Sequence, residues 1–155
     1  MLKKEKKCCG QLVVVGEQGW KFNKTGALSG IDSARDVRFI GYVPDEDLSA
    51  IYTMADMLAF PTLYEGFGIP ILEAQRCGTP VLTSNCSSLP EVGGMSALYV
   101  DPGNIDDICS GMDRILSDPE YAGQLRRLGY ENVKRFSWES SAKKLDEIIE
   151  SVIRQ

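Results

Sequence analysis

The segment from Pro61 to Glu73 most constrains the fold, because its residues predict a tight turn between a strand and a helix. An apolar run over residues 56–60 precedes it and predicts the strand. Proline is favoured at the first position of a helix, so Pro70 predicts a helix that begins at Ile69 or Pro70. The turn between them then spans residues 65–68. In an α/β sheet such a turn lies at the carboxyl end of a strand, where ligands bind.

Two carboxylates flank this turn, with Glu65 before it and Glu73 about one turn inside the helix. Free backbone N–H groups and the helix dipole at such a place favour an anion, and phosphate above all. Taken alone, the pattern also allows a plainer interpretation. Glu65 would be a turn residue, Glu73 would face solvent, and Gly66 and Gly68 would serve only the turn.

The rest of the chain alternates short apolar runs with helical patterns. Strands are predicted at Gln11–Val15, Val37–Ile40, Met57–Phe60, Pro80–Thr83 and Ala97–Val100. This order predicts an α/β fold, a Rossmann-like parallel sheet with helices on both faces. The first strand is apolar throughout, as expected for a strand covered on both faces. We also predict a helix over residues 2–9, and a poor helix or loop over residues 20–32.

Three helices are predicted after the last strand. In the final one, Ser137 is the expected N-cap. Its apolar stripe consists of Leu145, Ile148, Ile149 and Val152. A stripe at this spacing is most simply core. It could also lean on a further domain or, if exposed, drive dimerisation.

Charge and composition exclude several classes of function. The net charge of −5 and a pI of about 4.8 argue against nucleic acid as a partner. No apolar run approaches the roughly 20 residues of a membrane span, and no signal peptide is visible. Histidine is absent, and the five cysteines show no CxxC spacing, so we expect no metal site and reduced thiols in a cytoplasmic protein. Residues 16–19 lack a full dinucleotide fingerprint, and we expect no cofactor.

Several stretches resemble the C-terminal domain of group 1 (family 4) glycosyltransferases. They are residues 39–48, 60–74, 77–84, 89–92 and 136–138. The most specific is the glutamate pair with seven residues between, embedded in the pattern E-G-F-G-x-P-x-L-E. The resemblance runs from Gln11 to about Ser151.

The resemblance implies the C-terminal half of a GT-B fold, which holds a nucleotide-sugar donor. It implies transfer of a hexose with retention, without an essential metal ion. Glu73 would hold the ribose hydroxyls, and Glu65, the candidate catalytic residue, would contact the transferred sugar. The N–H groups around Gly66, Phe67, Gly68 and Ile69 would bind diphosphate and sugar, while Tyr42 and Val43 would border the base. The donor would be GDP- or UDP-linked, with GDP-mannose as a first guess.

The chain departs from the family in two ways. Its 155 residues, taken as one partial donor-binding domain over 1–155, cannot hold the acceptor-binding N-terminal domain. The first strand of the family's C-terminal domain also has no counterpart. We therefore expect the two strands beside it to pair directly, to leave a gap, or to accept a partner chain, which could be a second copy.

Full activity is expected to need a separate acceptor-binding domain or subunit. Two alternatives stay open: a standalone nucleotide-sugar-binding module, and an inactive structural remnant. The acceptor and the oligomeric state do not follow from the sequence.

Overall fold

The computed structural model describes residues 10–16 and 36–154. The strands are β1 (Leu12–Val15), β2 (Val37–Gly41), β3 (Leu58–Phe60), β4 (Val81–Ser84) and β5 (Ala97–Val100). The helices are α1 (Asp45–Met54), α2 (Ile69–Arg76), α3 (Leu89–Gly93), α4 (Ile105–Ser117), α5 (Pro119–Asn132) and α6 (Trp138–Ile153). A short 3₁₀ helix, Val133–Arg135, follows α5. The helix predicted over 2–9 and the segment 20–32 lie outside the described residues.

The described strands form two parallel sheets. Strand β1 pairs with β2, and β4 lies between β3 and β5. The predicted parallel α/β architecture is therefore confirmed. Within the described ranges β1 and β3 do not pair with each other, so the first of the three predicted outcomes, direct pairing, is not found there.

The core is centred on β4, whose four residues are all buried. Successive side chains of a strand point to opposite faces. Val81 accordingly packs in a cluster with α2 and α3, and Leu82 packs in another with α4 and α5. Helices thus cover both faces of the three-stranded sheet, as the sequence predicts.

Two apolar segments are not covered by any described element. In β1, Leu12, Val13 and Val15 are each more than 40% exposed, so the expectation of a strand covered on both faces is wrong there. In α6 the stripe of Leu145, Ile148, Ile149 and Val152 is exposed as well. The N-cap of α6 is as predicted, because Ser137 Oγ accepts a 3.0 Å hydrogen bond from the N–H of Ser140. The stripe is therefore an exposed face and not core.

Candidate functional site

The turn before α2 has the geometry of an anion site. Gly68 caps the helix in the left-handed region, with φ of 103° and ψ of 42°, and α2 begins at Ile69 as predicted. The Gly68 carbonyl accepts a 3.0 Å hydrogen bond from the N–H of Ile71. In the part of the chain that the structure describes, the N–H groups of residues 66–69 have no protein acceptor. Four donors are thus free at the positive end of a helix dipole.

The neighbouring loop after β4 holds this turn in place. The Ser87 hydroxyl donates to the Glu65 carbonyl at 2.6 Å. The Ser88 hydroxyl lies 3.1 Å from the Glu65 carbonyl and 2.9 Å from the Phe67 carbonyl, and its single proton is shared between them. Both carbonyls are therefore turned towards the serines. This role was not predicted from the sequence, where the available clue is a pair of serines just beyond the end of an adjacent parallel strand.

An aromatic contact supports the turn from the other end of the chain. The ring of Phe67 meets that of Phe136 edge to face, with 6.0 Å between centroids and planes at 88°. The Arg135 guanidinium lies 5.1 Å from the centre of the Phe136 ring. The Phe67 ring is thus held on one side by Phe136, while 44% of the residue stays exposed and its backbone N–H has no acceptor among the described residues.

Glu73 has a partner that the sequence analysis did not identify. The hydroxyl of Tyr52, on α1, donates to Glu73 Oε2 at 2.9 Å. From the sequence Tyr52 is predicted only as part of an apolar helical stripe, since no local pattern relates two residues 21 positions apart. Burial raises the pKa of Tyr52 well above its ordinary value, and Glu73 and Cys77 raise it further. The hydroxyl is therefore a permanent donor at neutral pH.

The structure brings six of the eight predicted site residues together. Glu65, Gly66, Phe67, Gly68, Ile69 and Glu73 lie in the turn and the first turns of α2. Tyr42 and Val43 lie elsewhere, in the loop at the carboxyl end of β2. Tyr42 is 74% exposed, so its ring is not packed into either described sheet.

One cleft of about 220 Å³ is separate from this site. Its lining is Met95, Ser96, Leu128, Glu131, Asn132 and Arg135. Met95 and Ser96 precede β5, so the cleft lies at the amino end of that strand, on the opposite edge of the sheet from the turn. Arg135 is already bonded there, to Asn132 Oδ1 at 2.7 Å.

Among the residues that can be placed, no group of three or more His, Cys, Asp or Glu side chains is arranged to hold a metal ion. None of the helices in residues 36–154 combines the length and apolar character that crossing a membrane requires.

Comparisons with known proteins give a consistent result. The family model described as "Glycosyl transferases group 1" matches residues 2–132. O-antigen chain mannosyltransferase B from Escherichia coli is 40% identical over 130 residues, which are 83% of this chain and 34% of that protein. The chain thus spans about a third of the length of this relative.

Solved structures show the same likeness. Sucrose-phosphate synthase from Thermosynechococcus elongatus superimposes with a TM-score of 0.78 at 29% identity, over 94% of this chain and 39% of that one. Anabaena HepE, crystallised with UDP and glucose, gives a TM-score of 0.80 at 18% identity, over 97% of this chain and 44% of that one. The second likeness concerns the fold alone.

Proposed function

Because the chain belongs to the group 1 glycosyltransferases, we propose that residues 65–73 form the donor site of a hexosyltransferase. The donor is a nucleoside diphosphate sugar, and the sugar is transferred with retention of its anomeric configuration. The chain spans about a third of its mannosyltransferase relative. The proposal therefore assigns acceptor binding to a separate domain or subunit.

One observation carries the proposal: the four backbone N–H groups of residues 66–69, at the N-terminus of α2 and in the turn before it, have no acceptor among the described residues. When the bond between sugar and phosphate breaks, negative charge develops on the leaving diphosphate. Fixed N–H dipoles aimed at that charge stabilise the transition state, and the loss of one such donor costs about 3 kcal/mol in other enzymes. The hydrogen bonds from Ser87 and Ser88 hold the peptide planes of the turn before the charge develops.

The two carboxylates contact different parts of the donor. Glu73 is half-buried and accepts from the ribose hydroxyls, because a carboxylate has about four acceptor positions for a vicinal diol. Glu65, at the start of the turn, contacts hydroxyls of the transferred hexose. Within the described residues its carboxylate has no hydrogen-bond or ion-pair partner and is available to the sugar. We assign it to stabilising positive charge on the sugar, not to nucleophilic attack.

Two donor classes stay in competition, GDP-linked and UDP-linked sugars. The mannosyltransferase relative favours transfer of mannose, and we propose GDP-mannose first, with a UDP-linked sugar as the alternative. Tyr42 and Val43, at the end of β2, would border the base.

Titration calorimetry of the purified chain with GDP and with UDP tests the proposal. We expect heat with one of them, and at least a tenfold weaker affinity in Glu73→Ala. The control is Glu120→Ala, an exposed glutamate in the first turn of α5, which should bind like the wild type. No heat with either nucleotide, or equal binding by Glu73→Ala, would refute a donor site here and favour a structural role for this segment.

A binding module without turnover is the second candidate, since the contacts that support the proposal concern the donor alone. Transfer of radiolabelled sugar from the donor separates the two. The module binds the nucleotide diphosphate but transfers no sugar, even when an acceptor-binding domain of a relative is supplied.

A further inference from the structure

We propose that Tyr52 is a positioning residue of the donor site, which sets the orientation of the Glu73 carboxylate so that its free oxygen meets the ribose hydroxyls. This inference rests on the donor site proposed above. It adds a residue on α1 that lies outside the glutamate motif, 13 positions before Glu65 in the chain.

The contact itself is short and directional. Tyr52 Oη donates to Glu73 Oε2 at 2.9 Å. Within the described residues Glu73 Oε1 has no partner, so one oxygen is held and the other is open. A phenol has one proton, and Tyr52 commits it to Glu73, so the tyrosine has no further proton to give to a ligand. Its effect on a ligand is therefore indirect, through the carboxylate.

Tyr52 is itself anchored at both ends. Its ring packs against the buried cluster that includes Ile71 and Ala74, both on α2. Its carbonyl accepts a 2.6 Å hydrogen bond from the hydroxyl of Thr79, which is buried in the loop between α2 and β4. The phenol oxygen thus has little freedom relative to α2, and it can impose one rotamer on a glutamate that would otherwise sample several.

A purely structural role is the competing explanation, because the same hydrogen bond also joins α1 to α2. The two differ in what they predict for ligands. A structural bond affects stability, and affects every ligand of the site alike. A positioning bond affects only those ligands that have hydroxyls for Glu73 to accept from.

The test is the affinity of Tyr52→Phe for the nucleoside diphosphate that the wild type binds, and for its 2′,3′-dideoxy analogue, both by calorimetry. We expect about tenfold weaker binding of the ribose form and less than a twofold change for the dideoxy form. In a Glu73→Ala background, where position 73 offers the Tyr52 hydroxyl no side-chain acceptor, Tyr52→Phe should cause no further loss. Tyr99→Phe is the matched control. Tyr99 lies on β5, and its hydroxyl donates to the Gly94 carbonyl at 2.8 Å, so removal of this hydroxyl should leave both affinities unchanged.

The outcomes are distinguishable. Equal loss with both ligands, or none with either, overturns the positioning role while the donor site stands. No binding of GDP or UDP by the wild type overturns both proposals. Circular dichroism of each variant shows that the chain is folded, so that a loss of affinity is not a loss of structure.

Discussion

Substitution of Gly68 by alanine should destabilise the fold by several kcal/mol. Gly68 has φ of 103°, a region that costs a residue with a side chain about 1–3 kcal/mol. A Cβ there would also lie 2.8 Å from Leu89 Cδ2. Leu89 is fully buried and cannot withdraw without moving the core, and overpacking of this kind costs about 1–3 kcal/mol. The two effects together predict a loss of about 2–6 kcal/mol, a large part of the roughly 5–15 kcal/mol typical of a domain.

Gly66 provides the matched control two residues earlier in the same turn. A Cβ at Gly66 would meet no atom within 4 Å, and its φ is not positive, so Gly66→Ala should change stability by less than about 1 kcal/mol. Urea denaturation followed by circular dichroism measures both variants. If the turn binds a diphosphate, Gly66→Ala should still lose affinity for GDP or UDP, because the methyl group occupies the space of the ligand. If Gly68→Ala were as stable as the wild type, the reasoning from backbone strain at Gly68 and from close packing against Leu89 would be refuted.

Two further predictions concern stability. Gln75→Leu should lower the free energy of unfolding by about 1–3 kcal/mol, because it removes the buried hydrogen bonds of the Gln75 amide to Ser96 and Asn132 and leaves one amide proton of Asn132 without an acceptor. Urea unfolding with an unchanged midpoint would contradict this. The second prediction concerns alkaline pH. Burial raises the pKa of Tyr52, and it raises that of Tyr99 from 10.0 to about 12, so both tyrosines lose their protons at lower pH in the unfolded chain than in the folded one. Their contribution to the free energy of unfolding should therefore be fully present below pH 10 and fall as the pH rises above it. Thermal melts of Tyr99→Phe should show a shallower decline between pH 10 and 12, and an unchanged slope would refute the assignment.

Local chemistry made much of the site predictable. Pro70 and the two glycines restrict the backbone over a few residues, and the helix begins at Ile69 as those restrictions require. The strand before the turn and the helix after it are likewise as predicted, within one residue for the strand. The family resemblance carried by the glutamate motif is confirmed. Each of these features depends on residues that are close in the sequence, which is why it can be predicted from one sequence.

The supporting contacts were not predictable in the same way. Tyr52 reaches Glu73 across 21 positions, and Ser87 reaches the Glu65 carbonyl across 22. A tyrosine in a helical stripe and a serine in a polar loop each have many equivalent uses. The choice among them is made when two elements pack side by side, and this information lies in the tertiary structure.

The exposed apolar segments show where a pattern stops being informative. The periodicity of α6 identifies its apolar face correctly, and that face is exposed in the structure. The apolar run of β1 likewise identifies a strand, yet most of its side chains are exposed. A hydrophobic pattern states which surface is apolar, because that is a property of the segment. Burial depends both on the segment and on the elements that pack against it, and among the described residues no element buries these two surfaces.

The turn at residues 65–68 and helix α2 are packed more closely by other elements than β1 or α6, because of their place in the fold. The turn at residues 65–68 and helix α2 belong to the three-stranded sheet, where β4 is fully buried and helices cover both faces. Glu65, Glu73 and the free N–H groups are therefore held by residues 52–136, without β1 or α6. Tyr42 and Val43 follow β2 in the less covered sheet. The proposed contacts to the sugar, the diphosphate and the ribose should consequently survive changes in β1 and α6, whereas the proposed contacts to the base should depend on how the two-stranded sheet is held.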